Sequence, residues 1–223
     1  MEFIEYADRE MLFLSLANQV AGELGQALRS AGRASFAVAG GSTPLPLYDL
    51  LSAVELDWEN VALMLTDERC VPEDHPRSNL GQVRKRLVRA AASAAKVVPL
   101  YLHAAGETGR IERIAEAVST RLPLSTVVLG MGEDLHIASL FPGSPQLAGA
   151  LSPAAPPVME MSVPGQPEGR ITLSLPVLRD AMNIHLVILG HAKREAFESS
   201  KGLPPELAPV RAIAENATVH WAE

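Results

Sequence analysis

The chain has 223 residues, enough to bury a large α/β core, and 48% of them are hydrophobic against 20% charged, the balance of a water-soluble globular protein. A formal net charge of −7 argues against nucleic acid or an anionic membrane as the main partner, since both ask for a basic face, but leaves room for a small anion held by a local cluster of cations and backbone N–H groups. No apolar run approaches the roughly 18 residues of a membrane helix, and Met1-Glu2-Phe3-Ile4-Glu5 is acidic where a signal peptide is basic; the single cysteine, Cys70, cannot make an internal disulfide. These features predict one domain over residues 1–223, in a reducing cytoplasm, with Cys70 as a small core residue.

In chain order, residues 3–6 read as a first strand. A helix follows over residues 9–30, where Leu12, Leu16, Val20, Leu24 and Leu28 recur every four residues and turn one face to the core; Gly32 ends it. Residues 35–39 form a second strand that runs into Gly40-Gly41-Ser42-Thr43-Pro44. Two glycines, two hydroxyls and a proline suited to a first helical turn fit an anion cradle, or else an ordinary capped helix start; the Gly-Lys-Ser/Thr of a P-loop is absent.

Residues 61–65 are a third strand, emerging into Thr66-Asp67-Glu68-Arg69 and then a proline-bearing surface loop over residues 71–78. Asn79 opens a helix with Leu80, Val83 and Leu87 on one face and a solvated run of Arg84, Lys85, Arg86 and Arg89 on the other. A strand over residues 97–101 and a helix over residues 107–122 follow, the helix marked by Ile111, Ile114, Ala115, Val118 and Leu122.

The next strand organises the site. Residues 126–129 are apolar enough to be buried on both faces, and Gly130 and Gly132 then break the run and deliver Asp134 and His136 at its carboxyl end, where open parallel sheets bind ligands. Beyond Phe141 there are seven prolines in the 26 residues 142–167, which predicts loop with one extended piece over residues 158–163. Residues 170–175 alternate as a strand with Arg170 at its entrance. Residues 184–189 are another buried strand, ending in Gly190 and a helix start that carries Lys193; a short helix over residues 209–215 and a strand over residues 218–221 close the chain. The fold class is therefore α/β, a mostly parallel open sheet flanked by helices, in the manner of Rossmann-like folds. The sequence has no internal repeat and no metal-type Cys/His spacing.

Parallel strands bring four of these ends to one edge: the Gly41-Ser42-Thr43 loop, Asp67 to Arg69, Asp134 with His136, and Lys193. An anion site beside an acid/base pair suits a sugar phosphate better than a dinucleotide, for which Gly130-Met131-Gly132-Glu133-Asp134-Leu135 lacks the third glycine. Ser139, three residues after His136, stands outside any Gly-x-Ser-x-Gly elbow and reads as a helix-interior or capping serine. His103, His185 and His220 read as structural, whereas His75 and His191 lie near the proposed site loops; Trp58 and Trp221 read as packing.

Gly40-Gly41-Ser42-Thr43-Pro44, Thr66-Asp67-Glu68-Arg69-Cys70-Val71-Pro72 with Ser78-Asn79, His136-Ile137-Ala138-Ser139-Leu140-Phe141-Pro142, Arg170-Ile171-Thr172-Leu173 and Pro209-Val210-Arg211-Ala212 together resemble the 6-phosphogluconolactonase family, in the family's order and over nearly the whole chain. The resemblance implies hydrolysis of 6-phosphoglucono-1,5-lactone in the oxidative pentose phosphate pathway, without cofactor or metal, on a small phosphorylated substrate, by a monomer or small homo-oligomer. It implies His136 as general base, with Asp67 or Asp134 orienting the imidazole or the water, and Gly41, Ser42, Thr43, Arg69, Arg170 and Lys193 binding phosphate and sugar hydroxyls. The related glucosamine-6-phosphate deaminases are the alternative, as is a non-catalytic sugar-phosphate binder. The family usually has glycine between the acid and the histidine; this chain has Leu135, which is strained there if the position needs positive φ.

Overall fold

The computed structural model describes residues 1–101, 110–163 and 165–223, so His103 and residues 107–109 of the expected helix lie outside the described residues. The elements are β1 (Glu2–Glu5), α1 (Arg9–Ala31), β2 (Ala34–Val38), α2 (Leu45–Ser52), β3 (Val61–Leu65), β4 (Asp67–Arg69), α3 (Asn79–Arg86), β5 (Lys96–Val98), α4 (Arg110–Ser119) and β6 (Thr126–Gly130). After these come α5 (Leu147–Leu151), β7 (Val158–Met161), β8 (Arg170–Leu173), α6 (Leu175–Arg179), β9 (Ile184–Leu189), α7 (His191–Ser199), α8 (Arg211–Ala214) and β10 (Thr218–Ala222).

Seven strands form one parallel sheet in the order β1-β10-β9-β6-β2-β3-β5. Its centre is buried on both faces: β2 and β3 have no half-exposed residue, and Val127, Val128 and Leu129 of β6 are wholly inaccessible, as their largely apolar runs require. The helix α1 starts where the Asp8 side chain accepts the Met11 N–H and stops at Gly32, whose φ of 68° places it in the left-handed region that closes helices. Leu12, Leu16, Val20 and Leu24 of α1 are buried, as their spacing predicts.

From β2 the chain builds outward through β3 to β5, then returns to lay β6 on the other side of β2 and builds on through β9 and β10. The β2–β6 pair is thus the switch point of the sheet, and the loops leaving these two strands part to leave a crevice between them.

Several expectations are corrected: a short helix, α5, forms within the stretch read as proline-rich loop, and β5 ends at Val98 rather than residue 101. Asp67 to Arg69 is not a loop but β4, and β8 ends at Leu173 rather than residue 175; the two pair antiparallel, Asp67 opposite Thr172 and Arg69 opposite Arg170, in a second sheet of order β4-β8-β7. All four residues of β8 are buried, because it is the middle strand, so its alternating sequence does not report an exposed face. Pro176 in the first turn then starts the unexpected short helix α6.

Candidate active site

A cavity of about 370 Å³ opens at the switch point. One wall is Gly40 to Pro44, after β2; a second is Gly130 to Gly132 with His136, after β6; the third is the small sheet, through Asp67, Arg69 and Arg170; Lys193 reaches in from α7. Of the expected site residues, Gly41, Ser42, Thr43, Asp67, Arg69, His136, Arg170 and Lys193 line this one cavity, and Asp134 stands just outside it, against the imidazole.

The turn carrying His136 is closed by its backbone. The Leu135 N–H donates to the Gly132 carbonyl at 3.0 Å, the Gly132 N–H to the His136 carbonyl at 3.0 Å, and the Val210 N–H to the Leu135 carbonyl at 3.1 Å. Leu135 has a φ of 69°, the conformation glycine serves without penalty, at a cost of about 1–2 kcal/mol for a residue with a Cβ. Ala138, also left-handed at φ 49°, turns the chain again, and Leu140 bonds back to Ile137 rather than continuing a helix. A Cβ on Gly132 would overlap the His136 ring and the Asp134 carboxylate, so the glycine is there for close approach.

Within that turn Asp134 Oδ1 makes a very short hydrogen bond with His136 Nδ1, and the imidazole stacks on Phe141 with ring centroids 3.9 Å apart. That bond holds the Asp134 carboxyl below its ordinary range, although the side chain is 54% exposed. With Nδ1 donating to the carboxylate, Nε2 is the ring nitrogen left to accept a proton.

Asp67 does something else. Its Oδ2 accepts from Ser139 Oγ at 2.6 Å and lies 3.6 Å from Arg170 Nη1, all three buried. Ser139 is therefore neither a helix-interior nor a capping serine: no helix forms over residues 136–141, and its hydroxyl ties the histidine segment to the small sheet. Burial lowers the Arg170 pKa, Asp67 opposes that, and Arg69 and Arg77 reinforce it.

The sequence reading missed two lining residues. Asn79, at the start of α3, donates to the Asp67 carbonyl at 2.9 Å and packs against Gly40, where any Cβ would collide with it. Gln166 accepts from the Arg170 guanidinium. Asn79 reads in the sequence as a helix start and as part of a block that carries the family resemblance, with no site role given to it, and Gln166 sits in proline-rich loop with no local pattern. Around the cavity, Thr66 Oγ1, Asn79 Oδ1, Arg69 Nε and Arg170 Nε are buried without a hydrogen-bond partner. Buried polar atoms of this kind ordinarily find partners, and all four belong to residues that line the cavity.

The other histidines separate cleanly. His185 and His220 are buried and bonded to each other, as structural histidines should be; His75 and His191 are exposed and line no part of the cavity. Cys70 is partly buried beside the core, and Trp58 and Trp221 are buried. Among the described residues no cluster of three His, Cys, Asp or Glu could hold a metal, and no helix is long and apolar enough to cross a membrane.

A family model described as glucosamine-6-phosphate isomerases/6-phosphogluconolactonase matches residues 7–221. The chain is 40% identical to a 6-phosphogluconolactonase of Mesorhizobium japonicum, with 97% of this chain and 93% of that one covered. It is 39% identical to a 6-phosphogluconolactonase of Pseudomonas aeruginosa, with 92% and 88% covered. Among solved structures, a 6-phosphogluconolactonase from Shewanella baltica matches with a TM-score of 0.95 at 33% identity, covering 100% of this chain and 98% of that one.

Proposed function

The chain belongs to the glucosamine-6-phosphate isomerase/6-phosphogluconolactonase family, and from that premise we propose that it is a lactonase, hydrolysing 6-phosphoglucono-1,5-lactone to 6-phosphogluconate in the oxidative pentose phosphate pathway. The observation that carries this reading is the placement of His136, its Nδ1 engaged by Asp134 and its ring lining a cavity that also holds Arg69, Arg170 and Lys193.

In this mechanism His136 Nε2 takes a proton from water as the water oxygen attacks the lactone carbonyl carbon. Asp134 is the group that orients the imidazole and stabilises its cation; Asp67 instead braces Arg170 and Ser139. The oxyanion of the tetrahedral intermediate is steadied by the cations of the cavity. Collapse breaks the bond to the ring oxygen, which leaves with the proton His136 took up, giving a hydroxyl and a carboxylic acid that loses its remaining proton to solvent as the carboxylate. Gly41, Ser42 and Thr43, with Arg69, Arg170 and Lys193, hold phosphate and sugar hydroxyls. Side chains and water supply every step, so no cofactor enters. The chain acts as one domain in the cytoplasm, on a small molecule rather than nucleic acid or membrane, as a monomer or small homo-oligomer.

The test is the decay of freshly generated 6-phosphogluconolactone with and without protein, corrected for spontaneous hydrolysis. Acceleration by the native chain that disappears in His136→Ala supports the reading. An unchanged spontaneous rate sinks it, and ammonia release from glucosamine 6-phosphate would then identify a deaminase instead.

A further inference from the structure

The segment Pro209-Val210-Arg211-Ala212 carries no part of the chemistry above, yet it is bonded both to the turn that carries His136 and to the end of α7, the helix that carries Lys193. Val210, fully buried, donates its N–H to the carbonyl of Leu135, the strained residue directly before His136. The next side chain, Arg211, turns the other way, onto α7. Its Nε donates to Ser200 Oγ at 2.6 Å, its Nη2 makes a very short hydrogen bond to the Phe197 carbonyl, and its guanidinium lies 4.3 Å from the centre of the Phe197 ring. Phe197 is itself buried, with its ring 6.3 Å from that of Phe3 in β1.

Phe197 and Lys193 are four residues apart on α7, one helical turn along the same face. A cation donating to carbonyls in the last turn both satisfies acceptors the helix leaves open and opposes the negative end of its dipole. Arg211 therefore fixes the far end of the helix whose first turn carries Lys193. At that first turn Lys193 Nζ donates to the Met131 carbonyl at 2.7 Å, on the loop that leads into the His136 turn. The path closes on itself: His136 turn, Leu135 carbonyl, Val210, Arg211, Phe197, Lys193, Met131, and back to the turn.

The geometry points to Arg211 as a positioning residue that sets where the Lys193 ammonium stands relative to His136, so that its removal weakens the hold on the phosphorylated substrate. This rests on the lactonase reading. Burial lowers the Arg211 pKa, but the guanidinium stays a cation through the working range.

The test compares native protein, Arg211→Ala, Lys193→Ala and the double variant, measuring kcat and KM for the lactone, the Kd for 6-phosphogluconate by calorimetry, and Tm. Arg211→Ala is expected to raise KM and Kd about tenfold with kcat changed far less, as loss of binding common to ground and transition states does. In the Lys193→Ala background it is expected to add nothing to KM or Kd, while still lowering Tm, because residues on one path are not additive. Arg211→Lys, which keeps one carbonyl bond, and Ser200→Ala, which removes the Nε partner together with the Ser200 hydroxyl's own bond to the Phe197 carbonyl at 2.7 Å, should give intermediate KM values; they carry the test should Arg211→Ala not fold. A native KM and Kd in these variants despite a lower Tm overturns the proposal, as does a full additive loss in the double variant. A native chain that binds 6-phosphogluconate but does not hydrolyse the lactone defeats the lactonase reading alone, since Kd still reads the coupling; a chain that neither hydrolyses nor binds overturns both.

Discussion

His220→Gln is expected to flatten the acid side of the stability profile without opening the core. In the native protein Tyr6 Oη, His220, His185 and Glu23 form one chain of hydrogen bonds: 2.9 Å from Tyr6 Oη to His220 Nδ1, 3.0 Å from His220 Nε2 to His185 Nδ1, and 3.0 Å from His185 Nε2 to Glu23 Oε2, which also accepts from Thr126 at 3.0 Å. The Glu23 carboxylate only accepts, so His185 donates to it from Nε2, His220 donates to His185, and Tyr6 donates to His220; every ring nitrogen is committed. A proton added to His220 would have to sit on Nδ1, facing the Tyr6 hydroxyl, in a fully buried ring. Burial first, and the neighbouring His185 second, push the His220 pKa from its ordinary 6.5 down to about 3. The folded pKa lies below the unfolded one, so the unfolded chain takes up this proton first. Stability from the neutral ring is complete above about pH 6.5 and is lost as the pH falls toward 3. At about 1.4 kcal/mol per unit, the loss from this group is about 3 kcal/mol between pH 7 and pH 4, as an order of magnitude. Glutamine keeps one donor for His185 and one acceptor for Tyr6 but does not titrate. Urea unfolding of both proteins from pH 7 to pH 4 measures the difference, with the other carboxylates cancelling between them. The native advantage should shrink by about 3 kcal/mol over that range; two profiles that run parallel would refute the assigned burial and bonding of His220.

Asp134→Asn should lower kcat about 10-fold to 100-fold with KM little changed, because the imidazolium formed in the transition state loses its counter-charge; an unaltered kcat would remove Asp134 from the mechanism. His136→Ala should in turn let the Asp134 carboxyl titrate higher, since the bond to His136 is the largest cause of its depression, and carbon-detected NMR of the side chain reads this directly. Gly132→Ala should cost about 100-fold in kcat, because its Cβ displaces the imidazole, and a crystal structure with His136 unmoved would count against that explanation. Leu135→Gly should relieve about 1 kcal/mol of left-handed strain and forfeit a similar amount of apolar packing, leaving Tm within a few degrees and kcat/KM within about threefold of native; a tenfold gain in activity would mean that leucine holds His136 out of place.

Much of this could be read before any coordinates, and the reason differs by element. Strands β2, β3, β6 and β9 lie in the middle of a parallel sheet, so burial on both faces writes them as largely apolar runs, interrupted by Ser35 in β2 and His185 in β9, and the glycine and polar residues that follow the runs mark the edge where the cavity opens. The helix α1 is long enough for five leucine and valine positions to fix its period. The small sheet had no such signature. Asp67, Glu68 and Arg69 carry three charges in a row, and only the pairing with β8, about a hundred residues later, makes them a strand. The choice between Asp67 and Asp134 as partner of the imidazole was undecidable for the same reason: one contact spans two residues, while the other depends on Ser139 bridging to Asp67 across 72. His185 and His220 were separable from His136 by motif, but their bond to each other follows from β9 and β10 being neighbours, which no local pattern records.

One residue outside the cavity ties β4 of the small sheet to α3, and with them two parts of the cavity wall. Glu68 is buried and takes four donors: the Arg69 and Asn79 N–H groups on Oε1, and the Leu80 N–H and Ser78 hydroxyl on Oε2. Burial raises its pKa against the pull of those four bonds. The donors come from β4 and from the first turn of α3, so the carboxylate is a rivet between them. Asp67 and Arg69 on one side and Asn79 on the other consequently cannot shift independently. Along the same wall Arg69 Nε, Arg170 Nε, Asn79 Oδ1 and Thr66 Oγ1 are buried and unpaired. That arrangement costs stability in the empty protein, because each such atom gives up a bond to water. A wall that need not reorganise as charge develops stabilises that charge more than a mobile one does.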